Sequence, residues 1–515
     1  MHISLFNWFL AAAPIVLFLI VMLVFKWGGS RAGALSWLVT VFIAVAFFGA
    51  NFELLAFTYV KAFLLSIDVL LIIWTALFLY MLTEQSGTIS TIGNWLRNLT
   101  KDKALQGIFL GWLFPSFLQG MGGFGVPVAV AAPLLVSTGF DPLQSLVMAS
   151  IGHAWGVTFG SMASSFQSLI AVTNLPGELL APAAAAILGI LAFVSGLLVT
   201  FVADGVAGVK NAFPITLLMS AVLAGGQYFL STNGLWIIAV TVPALLCLVV
   251  NYLLIRWRHS NAAIAPVSQK DLLFAFLPYV ILVGLTLAFN FSQGIQSVLG
   301  KIKLELFFPE IVTNLGDVTP AGAGRVIKIF THPGMIIFIS AIFTFFIFRF
   351  IGLLKKGELS IITKKTVQAS INTTISIFTM VGIATIMSHT KMTEVLAIGI
   401  SRAFGNRLFP AISPFIGALG AFITGSNSNS NVLFAALQMR TAELLNLSVP
   451  LILAAQTAGG SMGSMMAPAK VILGCATVGL ANQESTVINK ILIYGFGLVL
   501  FTGILVLVFN FLGVF

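Results

Sequence analysis

Charge is what this sequence has least of. Lys and Arg number 25 and Asp and Glu 15, together 8% of 515 residues, where a soluble domain carries about 25%. A water-solvated globular surface is therefore excluded. The formal net charge of +10 does not restore a nucleic-acid protein, because the basic residues are scattered through short loops rather than gathered on one face. Cysteine is scarce too. Cys247 and Cys475 lie singly inside apolar runs, which excludes a disulfide framework and offers no metal-ligand spacing. Both read as small buried hydrophobes. No HExxH or phosphate loop occurs, and no strand–turn–helix context for a nucleophile elbow, so no enzyme class has a supported motif to stand on.

What is present is apolar sequence: 59% hydrophobic residues and a mean hydropathy of +1.07. One membrane span needs roughly 20 apolar residues. Helix-length apolar segments fall at 8–25, 33–50, 62–83, 142–170, 181–203, 213–231, 235–256, 272–291, 333–353, 369–388, 448–475 and 489–513. The first lacks a basic leader and a small-residue cleavage site and reads as a retained span. Two further stretches, 105–137 and 409–438, are interrupted by Gly-rich and Asn/Ser-rich residues. Such interruptions survive at membrane depth only where protein or an aqueous cavity covers them, so both read as re-entrant hairpins. The expected architecture is an all-α polytopic membrane protein of about twelve spans plus two hairpins, in the cell (inner) membrane. Inner loops gather more of the Lys and Arg when the N-terminus is placed outside.

The sequence also repeats. Phe117–Gly120 and Phe422–Gly425 precede the two interruptions 305 positions apart, and Gly160-Ser-Met returns as Gly463-Ser-Met. Residues 28–207, with hairpin 105–137, pair with 333–515, with hairpin 409–438. Residues 1–27 are an extra N-terminal span and 208–332 a three-span connector with an external loop. An odd number of connecting spans inverts the second copy. Inverted repeats with interrupted helices in matching places point to a secondary transporter's midplane site.

The first interruption, Gln119-Gly-Met-Gly122-Gly123-Phe-Gly125-Val-Pro127, spells G-x-G-x-x-G, but no βαβ context supports a dinucleotide site. Glycine permits a sharp turn and close ligand approach. Pro127 suits the first turn of a following half-helix, whose N-terminal N–H groups favour an anion. A glycine helix-packing patch is the plainer alternative. The second interruption runs Thr424-Gly-Ser426-Asn427-Ser428-Asn429-Ser430-Asn431. Eight small or polar residues in an apolar chain are costly unless they bind something or one another. Taken as extended backbone, they place the asparagines on one side and the serines on the other, a donor and acceptor set for a hydroxy acid or a small hard cation. Gly459–Ser464, with Ser461 and Pro468, is expected to unwind the 448–475 span, and Gly152–Ser161 its counterpart. Ionisable groups inside the slab are few. Lys470 would neutralise a carboxylate, or else snorkel or pair structurally. His153 and Asp68 are candidates for proton coupling, or for purely structural hydrogen bonding.

At these residues the chain resembles the lactate permeases. The likeness rests on Phe117–Pro127, Gly152-His-Ala-Trp155, Thr158–Ser161, Ser164–Gln167, Thr424–Gln438, Gly459-Gly460 and Met466-Ala-Pro468, and spans nearly the full length. A fainter likeness links Ser426–Asn431 to the Ser-Asn-Thr hairpin tips of sodium-coupled dicarboxylate carriers. The chain departs from the lactate permease pattern in having Asn427 where an aspartate is frequent and Lys470 where a glutamine is frequent. The resemblance implies a permease importing lactate or a small 2-hydroxy monocarboxylate such as glycolate by proton symport. It implies no cofactor and no metal, with the lipid bilayer and a small carboxylate as partners and a homodimer as assembly. The substrate set is Gln119, Gly122, Gly123, Gly125, Ser426, Asn427, Ser428, Asn429, Asn431, Ser461, Ser464 and Lys470. Rival readings are a sodium-coupled carrier of another organic anion, a cation/proton exchanger, and a channel.

Overall fold

The computed structural model describes residues 4–123, 125–258, 268–480 and 483–515, without the side chains of 255–258. Phe124 of the first interruption and the inner-loop side chains of Arg256 and Arg258 lie outside the described residues. Nearly everything else is helix, as long apolar sequence must be when lipid offers the backbone no partner. Among the described residues, ten helices are long and apolar enough to cross a bilayer.

The chain opens with α1 (Leu5–Leu23), capped by Ser4, whose Oγ accepts the Asn7 N–H at 3.1 Å. Next come α2 (Gly29–Phe47) and the 34-residue α3 (Phe52–Gln85). Asn51 caps α3 by accepting the Leu54 N–H at 2.8 Å. The amphipathic α4 (Thr88–Arg97) follows. The first hairpin rises through α5 (Lys103–Gln106), a π-helical segment (Gly107–Leu113) and α6 (Phe114–Gly122), and returns as α7 (Val126–Ser137).

The predicted 142–170 span is two helices, α8 (Pro142–Ala154) and α9 (Gly160–Thr173), joined by a turn. The predicted 181–203 and 213–231 spans are two helices of one helical stretch, α10 (Gly177–Thr232), broken at Asp204–Gly205, where Gly205 takes φ 63°, and packed on each other at Gly189 and Ala224. Then come α11 (Thr241–Arg258), α12 (Gln269–Phe291) and the short α13 (Gln293–Leu299).

The loop after α13 holds a feature the hydropathy pattern did not signal. Six two-residue strands, β1 (Lys303–Leu304) to β6 (Ile327–Lys328), pair β1–β6, β2–β5 and β3–β4, all antiparallel, as one folded-back ribbon. It docks on the α2–α3 corner, where the Gly49 carbonyl accepts from Asn314 N at 2.7 Å.

The second half contains α14 (Pro333–Phe350), α15 (Glu358–His389), α16 (Met392–Thr424), α17 (Asn427–Leu444), α18 (Val449–Met465), α19 (Pro468–Thr477) and α20 (Glu484–Leu512). α16 starts well before the predicted hairpin boundary at 409. It kinks at Gly405, φ 61°, so that only its later limb forms the hairpin with α17.

Both hairpins sit hard against a neighbouring helix through glycine. A Cβ on Gly152 of α8 would stand 1.9 Å from the Gly111 carbonyl oxygen, and one on Gly459 of α18 would stand 1.9 Å from that of Pro414. The glycines of 459–464 therefore serve close packing, and α18 stays helical to Met465. The unwinding expected there is displaced to Met466-Ala467, ahead of Pro468, which lacks the N–H to continue the helix.

Candidate functional site

The α8–α9 junction is held by hydrogen bonds to the first hairpin. The Trp155 indole N–H donates to Ser116 Oγ at 2.9 Å, and Ser116 Oγ donates to the Gly152 carbonyl at 3.0 Å. Past the junction, Ser161, Met162 and Ala163 all take positive φ, between 47° and 62°. Such conformations are unfavourable for residues with a Cβ, and strain of this kind persists only where its surroundings over-determine it. Here Ser161 Oγ lies 3.4 Å from Gln119 Nε2, and a Cβ on Gly123 would meet the same oxygen at 2.1 Å. The first hairpin tip thus reaches the broken helix.

The second tip reaches it too. Gly425, φ 73°, ends α16 and Ser426 caps α17, its Oγ accepting the Asn429 N–H at 3.3 Å. Asn427–Asn431 is therefore the first turn of α17, not an extended strand, because that cap and the i→i+4 ladder beginning at Ser426 O to Ser430 N satisfy the backbone. The side chains then spread over three directions. Asn427 Nδ2 donates toward Thr158 Oγ1 (3.2 Å), Thr457 O (3.0 Å), Thr457 Oγ1 (3.3 Å) and Ser461 Oγ (3.2 Å). Asn431 Nδ2 donates to Ser165 O at 2.9 Å and Thr457 Oγ1 at 3.0 Å, and Ser428 Oγ lies 3.2 Å from Ser165 Oγ. Asn429 Nδ2 donates to Ser376 Oγ at 3.1 Å. The side-chain oxygens of Asn427, Asn429 and Asn431 are buried without a donor.

Lys470, in the first turn of α19, is 8% exposed and donates to Ser464 Oγ. The first tip approaches it and the second approaches its neighbour Ala467. A Cβ on Gly125 would lie 3.7 Å from Lys470 Cγ, and one on Gly425 3.9 Å from Ala467 Cβ. Lys470, Ser426 and Asn429 line a cavity of about 510 Å³ together with Lys26, Arg31 and Asn372. It opens at the Lys26–Arg31 end of the molecule, and among the described residues no Asp or Glu lines it.

The expected residues thus divide. Ser426, Asn429 and Lys470 face this cavity. Asn427, Ser428, Asn431 and Ser461 form a hydrogen-bonded layer with Thr158, Thr457 and Ser165. Ser464 supports Lys470. Gln119 and Gly123 touch Ser161, and Gly122 packs on the Tyr80 ring. His153 is fully buried, with Nδ1 2.8 Å from the Ala149 carbonyl and Nε2 unpartnered.

Asp68 stands elsewhere. Its Oδ2 accepts from Gln167 Nε2 and Arg325 Nε, each at 3.0 Å, and its Oδ1 lies 3.2 Å from His332 Nε2. Because His332 Nδ1 accepts the Gly334 N–H at 3.1 Å, its Nε2 carries the proton and donates to Asp68. Residues that the motif reading did not single out are Arg31, Asn372, Ser376 and Thr457. The polar run Ser370–Ser376 inside an apolar span was the signal for Asn372 and Ser376.

A multi-pass helical bundle with two helical hairpins, broken helices and a basic, polar cavity leading in from one end defines a membrane transporter of the cell membrane rather than an enzyme. The comparisons name its family. The sequence profile of the L-lactate permease family matches residues 7–513, and the chain belongs to that family. It is 28% identical to the L-lactate permease of Halalkalibacterium halodurans over 513 residues, covering 96% of this chain and 95% of that one. It is 27% identical to the glycolate permease GlcA of Escherichia coli K12 over 512 residues, 92% and 90% of the two chains. The crystal structure of the Alcanivorax borkumensis YdaH transporter shares the fold, with a TM-score of 0.51 over 90% of this chain and 88% of that one, at 17% identity.

Proposed function

We propose that this permease imports lactate or a related small 2-hydroxy monocarboxylate such as glycolate, together with a proton. The observation that carries the reading is the cavity at Lys470. A buried ammonium there finds a hydroxyl partner in Ser464 and no carboxylate, while Ser426 and the unpartnered Asn429 oxygen stand beside it. A carboxylate bound at Lys470 would supply the missing negative charge, and its neighbouring 2-hydroxyl would donate to Asn429 Oδ1. Arg31, at the same cavity, adds charge at its mouth. The names of the relatives agree with a hydroxy acid as cargo.

For the proton, His153 is the stronger candidate. Its Nε2 is free, and it sits one residue from the end of α8, beside the junction that the hairpins touch. Asp68 accepts three hydrogen bonds already and serves as the anchor of the outer loop. Helices recur in one order, α2–α3–α4 against α14–α15–α16 and the two hairpins in turn, at an offset near 305 residues. That order supports inverted repeats rocking against each other as the access mechanism, with re-entrant hairpins at their centre.

Sodium in place of the proton is the second reading, and one observation favours it. Four oxygens, from Thr158, Thr457 (two) and Ser461, lie within 3.3 Å of the Asn427 amide nitrogen, and turning that amide over would bring its own unpartnered oxygen into the set in place of the nitrogen. Small hard cations take such oxygen sets. The deciding experiment is uptake of labelled lactate and glycolate into proteoliposomes, driven by a pH gradient alone and then by a sodium gradient alone. Uptake under the pH gradient, abolished by a protonophore, is expected. Uptake only under sodium overturns the proton reading, and no uptake of either acid overturns the substrate.

A further inference from the structure

A second cavity, of about 180 Å³, lies at the other end of the molecule. It is lined by α3, the end of α9, the β5–β6 turn, α15 and α17. Lys61, Arg325 and His389 all border it, and among the described residues no Asp or Glu does. Among the described residues Lys61 makes no ion pair. Its Nζ stands over the Phe308 ring, 5.0 Å from the centroid. An unpaired ammonium on a membrane-spanning helix is costly, and a ring face alone offsets little of that. Arg325 spends its Nε on Asp68, and its two terminal nitrogens have no hydrogen-bond partner among the described residues. His389 Nδ1 lies 3.1 Å from Thr319 Oγ1, which leaves Nε2 available.

The same two helices line both cavities. On α15, Ser376 borders the inner one and Val381 the outer one. Five residues of helix span about 7.5 Å. On α17, Asn429 borders the inner and Ala436 the outer, seven residues or roughly 10 Å apart. Between them stand Ile377, Met380, Val432 and Leu433, all buried. Buried apolar residues of both helices thus lie between the linings of two basic cavities.

We infer that the outer cavity is the extracellular capture vestibule for the transported monocarboxylate, whose carboxylate binds among Lys61, Arg325 and His389 before the intervening apolar residues move apart. This rests on the substrate reading above. Asp68 gains a defined task in it, holding the Arg325 fork at the vestibule wall while its free nitrogens face the anion.

The test places a reporter thiol in the wall. Ser388 is exposed and lines the cavity, while both native cysteines are buried. In the full chain, in right-side-out vesicles, Ser388→Cys is labelled with a membrane-impermeant thiol reagent. Lactate or glycolate is expected to slow labelling several-fold, where chloride at equal ionic strength does not. Adding Lys61→Gln should raise the protecting concentration at least about tenfold, Lys61→Arg should restore it, and Lys470→Gln should leave it unchanged. Labelling indifferent to the acids, or protection surviving Lys61→Gln intact, overturns the vestibule. Protection lost equally in Lys470→Gln also overturns it, because the thiol is then reporting the inner site. Transport is read separately. Wild-type protein that moves neither acid, with protection intact, sinks the substrate reading and leaves an anion vestibule standing.

Discussion

The α6–α7 hairpin ends in Gly123 and Gly125, while the α16–α17 hairpin ends in Gly425 and Ser426 followed by five alternating Asn and Ser residues. Their arms are held alike, each with a backbone carbonyl pressed against a glycine of the next helix, Gly111 on Gly152 and Pro414 on Gly459. The tips differ in chemistry. The first has no side chain to offer at its glycines. It fits between Tyr80, Ser161 and Lys470, and brings backbone close. The second carries amides whose N–H groups are spent on Thr158, Thr457, Ser165 and Ser376 and whose oxygens are spare. Equal packing with unequal tips teaches that the arms serve assembly; under the proposed function, discrimination of cargo falls to the second tip and to Lys470, which lines one cavity with Ser426 and Asn429 and lies against Gly125 of the first tip.

The largest effect should come where the tips meet. Lys470→Gln keeps the volume and removes the charge. Loss of a buried charge from its ligand costs about 2–5 kcal/mol, so counterflow of labelled lactate should fall roughly 30-fold or more while the melting temperature in detergent holds. Wild-type exchange in this variant would remove the cavity from the pathway. The arms are next. Gly152→Ala and Gly459→Ala each push a methyl into a carbonyl at 1.9 Å, and overpacking of this kind costs about 1–3 kcal/mol. The two should destabilise equally in thermal unfolding. A clear inequality would break the claim that the arms are held alike.

Much of this was readable before any coordinates. Low charge and long apolar runs give a multi-pass helical membrane transporter, because lipid permits little else. Positions 119–125 and 424–431 do mark the tips. What failed had physical causes. Alternation of Asn and Ser looks extended on paper, yet a serine cap makes the same residues the first turn of α17. Gly459–Ser464 looks like a break, yet glycine in α18 admits a neighbouring backbone instead. Asp68 looked like a lone intramembrane acid because its partners, Arg325 and His332, lie more than 250 residues away. The ribbon that carries Arg325 leaves only two-residue strands, too short for a period to register.

Smaller changes at the tips sharpen the contrast. Gly125 and Gly425 both take positive φ, 92° and 73°, so alanine at either costs roughly 1–2 kcal/mol in conformation alone. Gly125→Ala also crowds Leu473 Cδ2 at 3.0 Å, whereas Gly425→Ala meets only Ala467 Cβ at 3.9 Å. The first should therefore destabilise more. If Gly425→Ala proves the worse, the second tip is the tighter of the two and the comparison reverses.

The smallest effect is the most discriminating. Ser426 both caps α17 and faces the cavity. As a cap alone, its replacement by alanine costs about 1 kcal/mol and by glycine only a few tenths, since glycine leaves the N-terminal N–H groups open to water. Ser426→Ala and Ser426→Gly should then differ in thermal stability. A hydroxyl that also holds the cargo is missing equally from both, so their transport KM for lactate should rise together by several-fold. Stability split with KM unsplit assigns Ser426 both roles. KM that follows stability, worse in alanine and near wild type in glycine, leaves it a cap and hands the binding to Asn429 and Lys470.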